Sequence, residues 1–449
     1  MDVGFNNPSL QKRPNTRYIC ARIDEIATTY NGGTPSKSEA SFWNGIIPWV
    51  SPKDFIDIAI NDSEDHITQK AIDDTRVRIL PIGTVLVVYR SGILLHTLPV
   101  AMTKVKLAIN QDIKALILDK RVLPEYFVFY FHVFGQRLLP IITKHSTTVQ
   151  SINSEQFNAL LVPTPPLSVQ HDIITKMEKA WVSRRQKLEE ADALLTSLDT
   201  YLLDRLGLIS KENSYPHYFA ARLGDAWNRS DPDFHSPKFK ELRESIENSG
   251  HPVKSVQDIC IKLRTGFAAG RENQAFDEIQ GIPHIRPLNI SAYGNLSFDG
   301  TKYIPKDSVD EKELIGNGEV LLNNTNSTIW VGKSTVFEDE RPCCCSNHIT
   351  RLTVDSSKVL PWYLALLFNA IRSTGYFGLL ATNFVNQAGI NTETLSALRI
   401  PIPDLGIQKE IVDELFHRRT EARRLHKEAE KEWATSKEWF EKRLLNDEE

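Results

Sequence analysis

Shifted against itself by 233 to 238 residues, the 449-residue chain meets its own pattern again through a whole half of its length. Asp24-Glu25-Ile26 falls on Gln257-Asp258-Ile259, and Ile47-Pro48 falls on Ile282-Pro283. Gly83, Val85 and Leu86 meet Gly318, Val320 and Leu321; Leu123, Pro124 and Tyr126 meet Leu360, Pro361 and Tyr363. Ile152-Asn153 meets Ile390-Asn391, and Leu160, Pro163, Pro165, Leu167, Gln170 and Ile173 meet Leu398, Pro401, Pro403, Leu405, Gln408 and Ile411. Scattered coincidence does not hold one register that long. The chain is a tandem duplication, and whatever one copy folds into must be built twice.

Each copy has the same internal order. A mixed region comes first, with short β-type runs such as TVLVVYR (84 to 90) and EVLLNNT (319 to 325) between Gly and Pro turns. A short helix is predicted after each Leu-Pro, over EYFVFYFHVF (125 to 134) and WYLALLFNAI (362 to 371). A polar loop follows, KHSTTVQSIN (144 to 153) or TNFVNQAGIN (382 to 391), then a proline-punctuated strand, LLVPTPPL or LRIPIPDL. Each copy closes on a long charged helix.

Those helices carry a seam. Positions 174, 177, 181, 184, 188, 191, 195, 198, 202 and 205 read Ile, Met, Trp, Arg, Leu, Ala, Leu, Leu, Leu, Arg, with apolar side chains at alternating steps of three and four. The matching line from 412 to 443 reads Val, Leu, Arg, Ala, His, Ala, Trp, Ser, Phe, Arg, a weaker and wider stripe. Two independent amphipathic helices are the plainer alternative, but a seam of about 30 residues exceeds the usual globular helix. The two are expected to pair antiparallel, as a spacer of some 38 residues, roughly 57 Å long. The expected fold class is α+β, with two similar α/β head domains at 1–166 and 211–405, the second including a linker. Long helices at 167–210 and 406–449 complete a pseudo-two-fold arrangement.

Composition excludes more than it selects. Hydrophobic residues make up 41% and charged residues 24%, an ordinary globular balance. Five cysteines without framework spacing suit a reducing compartment, and MDVGFNNPSLQKRPNTRY lacks the apolar core of a signal peptide. The longest apolar runs are too short to span a bilayer, so a cytoplasmic location is expected. Net charge is −4, with 17 Lys+Arg against 15 Asp+Glu in residues 1–166 and 20 against 23 in 211–405. A phosphate-binding protein usually carries a basic surplus, and this count neither supports nor excludes DNA.

Catalytic motifs fail on inspection. WVGKST (330 to 335) ends like a phosphate-binding loop, but the position needing a second glycine is Ser327. Cys343-Cys344-Cys345 with His348 suggests metal, yet adjacent strand residues point to alternate faces and no second pair completes a tetrahedron. HExxH, GxSxG and paired-Cys zinc spacings are absent from the sequence, as are a glycine-rich S-adenosylmethionine loop and an Asn-Pro-Pro-aromatic motif. The expectation is a chain with no catalytic residues and no metal of its own.

The order head, long helix, head, long helix resembles the specificity (S, HsdS) subunit of type I restriction-modification systems. The likeness is carried by GGTPSKSEASFWNGIIPWVSPKDF (32 to 55), AINQDIKAL (108 to 116), RSDPDFHSPKFKEL (229 to 242), and PPLSVQHDII (165 to 174) with its copy PDLGIQKEIV (403 to 412). The second head departs from the pattern: KLRTGFAAGREN (262 to 273) lacks the GGTP and Trp of the first, so its readout should differ. The resemblance implies that each head reads one half of a bipartite double-stranded DNA site, and that the helices set the spacing and dock two methyltransferase subunits. It implies S-adenosylmethionine in those partners, and ATP and Mg in restriction subunits that would join the same assembly in anti-phage defence.

Base edges are read by directed donors and acceptors: Arg for guanine, Asn or Gln for adenine, Ser or Thr for either. In the first head the candidates are Ser36, Lys37, Ser51, Lys53, Arg90, Ser91, Asn110, Gln111, Thr147, Thr148 and Gln150. In the second they are Arg264, Thr265, Arg286, Asn289, Asn323, Asn324, Asn326, Thr328, Asn347, His348, Asn386 and Gln387. IPWVSPKD and IPHIRPLN are taken as one structural position, with Ser51 and Lys53 against Arg286 and Asn289 exposed and free to differ. For any one candidate the plainer account is a solvated loop or a turn cap. That account is strongest for Asn110 and Asn347, which the repeat aligns. The rival functions are a non-DNA adaptor with two protein-binding heads, and an enzyme whose site is assembled from unconnected residues.

Overall fold

The computed structural model describes residues 14–144, 149–208, 218–220, 232–270, 274–384 and 387–445. The candidates Thr147, Thr148 and Asn386 lie outside the described residues. The chain forms two compact units, Met1–Lys187 with Lys427–Glu449, and Leu188–His426.

In the first unit a five-stranded sheet has the order Ala27–Asn31, Ile113–Leu118, Val85–Val88, Val100–Thr103, Ala59–Ile60, antiparallel except for its last pair. Its centre, Val85–Val88, is buried at every position and alternates between two cores. Val85 and Val87 pack on the aromatic helix Pro124–Ile142, and Leu86 and Val88 pack with Val50, Leu107 and Ile109 on the other face. A three-stranded sheet of His66–Ile67, Trp43–Val50 and Ala108–Ile109 lies on that second side.

The second unit repeats the design. Strands Cys260–Thr265, Ile349–Val354, Val320–Asn323 and Ser334–Val336 form its main sheet, covered by the helix Pro361–Ser373. Lys302–Pro305, Gly281–Ile285 and Cys344–Cys345 form the smaller one. Cys344 and Cys345 form a short strand that Cys343 leads into, and the three side chains alternate between two cores: Cys343 and Cys345 pack with Ile285 and Leu321, Cys344 with Ile282 and Ile304.

The repeated residues are the scaffold. Gln170 is fully buried; its Nε2 donates to the carbonyls of Arg121 and Pro165, and its Oε1 accepts from the Leu123 amide at 2.8 Å. Gln408 does the same with Lys358, Pro403 and Leu360. The hydroxyls of Tyr126 and Tyr363 donate to Pro163 and Pro401, each at 2.8 Å. Asn153 and Asn391 cap equivalent short helices, and Gly83 and Gly318 hold equivalent turns at φ 82° and 84°, which suit glycine.

The long helices run over Leu167–Arg205 and Leu405–Leu444. In the first unit they pair antiparallel: Arg184 reaches Glu430 at 2.7 Å, Lys187 reaches Glu432 at 2.5 Å, and Trp181 meets Trp433 edge to face. In the second unit Ala191 packs with Ala422 and Leu425, and Arg205 lies 3.2 Å from Glu410, again antiparallel. The weaker seam shifts by one residue at His426, which is exposed while Leu425 is buried.

Three expectations need correcting. The first head helix is no short element, since it continues to Ile142 through Pro140. The loop predicted over 382–391 contains two strands, Thr382–Phe384 and Gln387–Gly389, which pair with each other, and the second also pairs with Thr325–Asn326. The loop over 144–153 likewise begins and ends in paired strands, at Lys144 of Thr143–Lys144 and at Ser151–Ile152.

Candidate nucleic-acid interface

One end of each main sheet gathers the loops that differ between the copies. In the first head the Gly33 amide donates to Ile109 and the Gly32 amide to Ile113, so the GGTP segment lies along residues 109–113. A Cβ on Gly32 would fall 1.9 Å from the Asn110 carbonyl, so this approach requires glycine. The Arg90 amide donates to Asp112 and the Ser91 amide to Gln150. Thr34 donates to the Gln111 amide oxygen. Thr34, Arg90 and Gln111 are thereby held exposed at one sheet end, with half-buried Ser91 beside them.

The second head reproduces this frame with other side chains. A Cβ on Gly266 would fall 2.0 Å from the Cys345 carbonyl, so Gly266 takes the place of Gly32 although the GGTP sequence is missing. Trp49 Nε1 donates to the Gly33 carbonyl at 2.9 Å, and at the equivalent strand position the His284 ring bonds to the Phe267 carbonyl at 3.2 Å. Burial holds the His284 imidazole below its usual pKa, as befits a ring that belongs to the core. The tryptophan that the second head lacks is thus replaced in its hydrogen bond as well as its place.

Of Ser51, Lys53, Arg286 and Asn289, all expected to be exposed and free to differ, Lys53 is exposed and Arg286 half-buried, whereas the expectation is corrected for Ser51 and Asn289, which are buried. Ser51 is 9% exposed and Asn289 1%. The Ser51 amide donates to Asp54 at 2.7 Å, and the Arg286 amide donates to Asn289 at 2.9 Å, so Asp54 and Asn289 are the equivalent pair. Asn289 Nδ2 also donates to Ser297 and Thr301, both at 2.9 Å. Lys53 is held by Asp65 and Glu64, both at 2.9 Å, and the Asp65 hydrogen bond leads in raising its pKa. Arg286 donates to the Gly300 carbonyl at 2.7 Å.

The alignment of Asn110 with Asn347 is also off by one residue. The Asn110 amide donates to Val50 and the Ser346 amide donates to Ile285, each at 2.9 Å, so Ser346 is the counterpart. Asn110 is buried against Asp112, whereas Asn347 is exposed. Asn323 and Asn324 are buried too; Asn323 donates to Trp330 at 2.9 Å, and Asn324 to Asn347 and Thr350. Gln150 is buried at the first head's sheet end. Ser36, Lys37, Thr265 and Thr328 are exposed on loops or strand ends, and Arg264 is half-buried.

Three second-head candidates converge. Asn326, His348 and Gln387 line a cleft of about 330 Å³ with Pro287, Thr325 and Ser327. The cleft forms because the pair Thr325–Asn326 adds to the hairpin 382–389, while the Asn324 amide, donating to His348, ties it to the end of the main sheet. Its walls offer amides, hydroxyls and an imidazole. An apolar groove of about 410 Å³, beside the helix Pro237–Glu247, contains none of the candidates.

Chemistry of other kinds finds little purchase. Lys333 of the WVGKST segment is 8% exposed and donates to the carbonyls of Pro287 and Ile290, while Gly332 turns the chain at φ 93°. Burial pushes the thiols of Cys343, Cys344 and Cys345 up to about 12, far from the thiolate that metal binding or nucleophilic attack requires. Among the described residues, no group of three or more His, Cys, Asp or Glu could hold a metal ion, and no helix is long and apolar enough to cross a membrane.

One scaffold built twice, with different polar side chains on the loops at the same end of each sheet, defines a duplicated recognition protein. The family model for the type I restriction modification DNA specificity domain matches residues 20–189 and 252–432, one match per copy, and the chain belongs to that family. It is 37% identical over 161 residues to the type I restriction enzyme EcoR124I/EcoR124II specificity subunit of Escherichia coli, covering 35% of this chain and 39% of that protein. It is 26% identical over 295 residues to the MjaIX specificity subunit of Methanocaldococcus jannaschii, covering 64% of this chain and 61% of the relative. The chain thus spans less than two thirds of either curated relative. A solved structure concerned with complex assembly and conformational transition of the type I R-M system shares the fold. Its TM-score is 0.54, at 16% identity, over 96% of this chain and 97% of that one.

Proposed function

We propose that this chain is the sequence-specific DNA-recognition subunit of a type I restriction-modification complex. Each head reads one half of a bipartite, asymmetric double-stranded site. The long helices set the spacing between half-sites and dock two methyltransferase subunits, with restriction subunits joining the same assembly. Reader domains at 1–166 and 211–405 and spacer helices at 167–210 and 406–449 are the corresponding division of labour. S-adenosylmethionine belongs to the methyltransferase partners, ATP and Mg to the restriction partners, and the work is done in the cytoplasm. This chain supplies specificity and no catalytic group.

The observation that carries this reading is the double family match onto two copies whose scaffold bonds agree and whose loop side chains do not. Identical heads would suit a symmetric site; these suit an asymmetric one. The test is retention on duplex DNA with the methyltransferase partner present, measured against salt. A phosphate binder shows log K falling linearly with log salt, and an adaptor of proteins shows no such slope. Methylation, nuclease or ATPase turnover by the isolated chain, abolished by a point change within it, would refute the non-catalytic assignment.

A further inference from the structure

The strand pair beside the polar cleft also carries an aromatic side chain with no hydrogen-bonding group of its own. Phe384 ends the strand Thr382–Phe384, directly opposite Gln387 at the start of Gln387–Gly389. The residue is 63% exposed. The ring lies over Gly389, where an added Cβ would come within 3.3 Å of the ring edge and 3.7 Å of the Thr325 hydroxyl. The ring edge and the Thr325 hydroxyl therefore flank the same point above Gly389, next to the cleft that Thr325 lines. Gln387 opens into the same cleft, and among the described residues its side-chain amide has no hydrogen-bond partner. An exposed aromatic and an amide without a partner among the described residues thus sit side by side at opposed positions of one strand pair.

In the major groove an A·T pair presents the same two features in reverse. Adenine offers the N6 donor and N7 acceptor that a glutamine amide meets with two hydrogen bonds. Its paired thymine offers a methyl group suited to an apolar contact such as Phe. No other base pair sets an amide-complementary edge beside a methyl. Gly389 leaves the ring room at this point, since even a Cβ there would press on the ring edge at 3.3 Å.

We infer that Gln387 and Phe384 together read one A·T base pair of the second half-site, Gln387 the adenine edge and Phe384 the thymine methyl. The inference rests on the DNA-reading function proposed above. The test uses the full chain in complex with its methyltransferase partner. The wild-type target is first established by methylation-site mapping; failure to obtain a defined target there would overturn the proposed function itself. Gln387→Ala is expected to relax one A·T position of the second half-site, lowering discrimination by about tenfold or more, with the first half-site unchanged. Phe384→Ala should weaken the same position. Replacing thymine there by deoxyuridine, which lacks the methyl, should weaken wild type and leave Phe384→Ala unaffected. Both residues are exposed, so equal thermal unfolding of variants and wild type is expected. Unaltered specificity in both variants, relaxation at a G·C pair or in the first half-site, or weakening on all sequences alike would overturn the assignment. So would a deoxyuridine effect that persists in Phe384→Ala.

Discussion

Gln170 and Gln408 each satisfy one amide and two carbonyls where a head meets its long helix. Truncating either strands those backbone groups, so Gln408→Ala should destabilise by about 2–4 kcal/mol, measurable by chemical denaturation, while leaving half-site preference intact. The second head also contains a buried ion pair: Arg351, 1% exposed, donates to Glu319 at 2.5 Å and also to the carbonyls of Glu313 and Leu314. By strand register its counterpart in the first head is Ala115, facing Leu86 as Arg351 faces Leu321. Arg351→Met alone should cost about 3–5 kcal/mol because it leaves Glu319 buried and unpaired; adding Glu319→Gln should recover part of that loss. His132 bonds to the Val100 carbonyl at 3.0 Å beside Trp181, and burial lowers its pKa. Below about pH 6.5 the unfolded chain takes up a proton that the folded ring resists, so this group's contribution to stability falls as pH falls. His132→Asn, which installs the residue found at the equivalent Asn369, should lose less stability than wild type between about pH 7.5 and 5.5 in denaturant titrations.

At the level of elements, burial along the seam sets which helix substitutions matter. Leu202 is 1% exposed and Leu198 4%, so Leu202→Ala should cost about 2–5 kcal/mol. Arg205, whose partner Glu410 is 68% exposed, should cost under about 1 kcal/mol when replaced by Ala. Thermal unfolding of the two variants checks the contrast. The arginines that interrupt the first seam at 184 and 205 find their partners, Glu430 and Glu410, on the second helix. The seams, the strand centres at 85–88 and 320–323 and the helix starts after each Leu-Pro were legible, because periodicity and duplication report burial directly. The hairpin at 382–389 was not, since its polar residues follow no apolar alternation and its pairing is set by strand partners far along the chain. Nor could sequence separate readers from caps: Asn289, Asn323 and Asn324 have the chemistry of base contacts and are buried within the fold. Asn326, His348 and Gln387 have the same chemistry and line a cleft. The signal that would have found Phe384 is an aromatic in a polar loop two copies do not share.

For the molecule as a whole, the duplication carries the functional account. Agreement at Gln170 and Gln408, at Tyr126 and Tyr363, and at Gly32 and Gly266 fixes a common frame, so the differing loop residues can change what is bound without changing how the head folds. Each head also has its own hydrophobic core, and binding contributions from independent sites are close to additive. The most direct test replaces residues 1–166 with the corresponding head of another specificity subunit and maps the methylated sites made with the partner methyltransferase. The account predicts a new sequence in one half of the site and an unaltered sequence in the other; a change in both halves would contradict it.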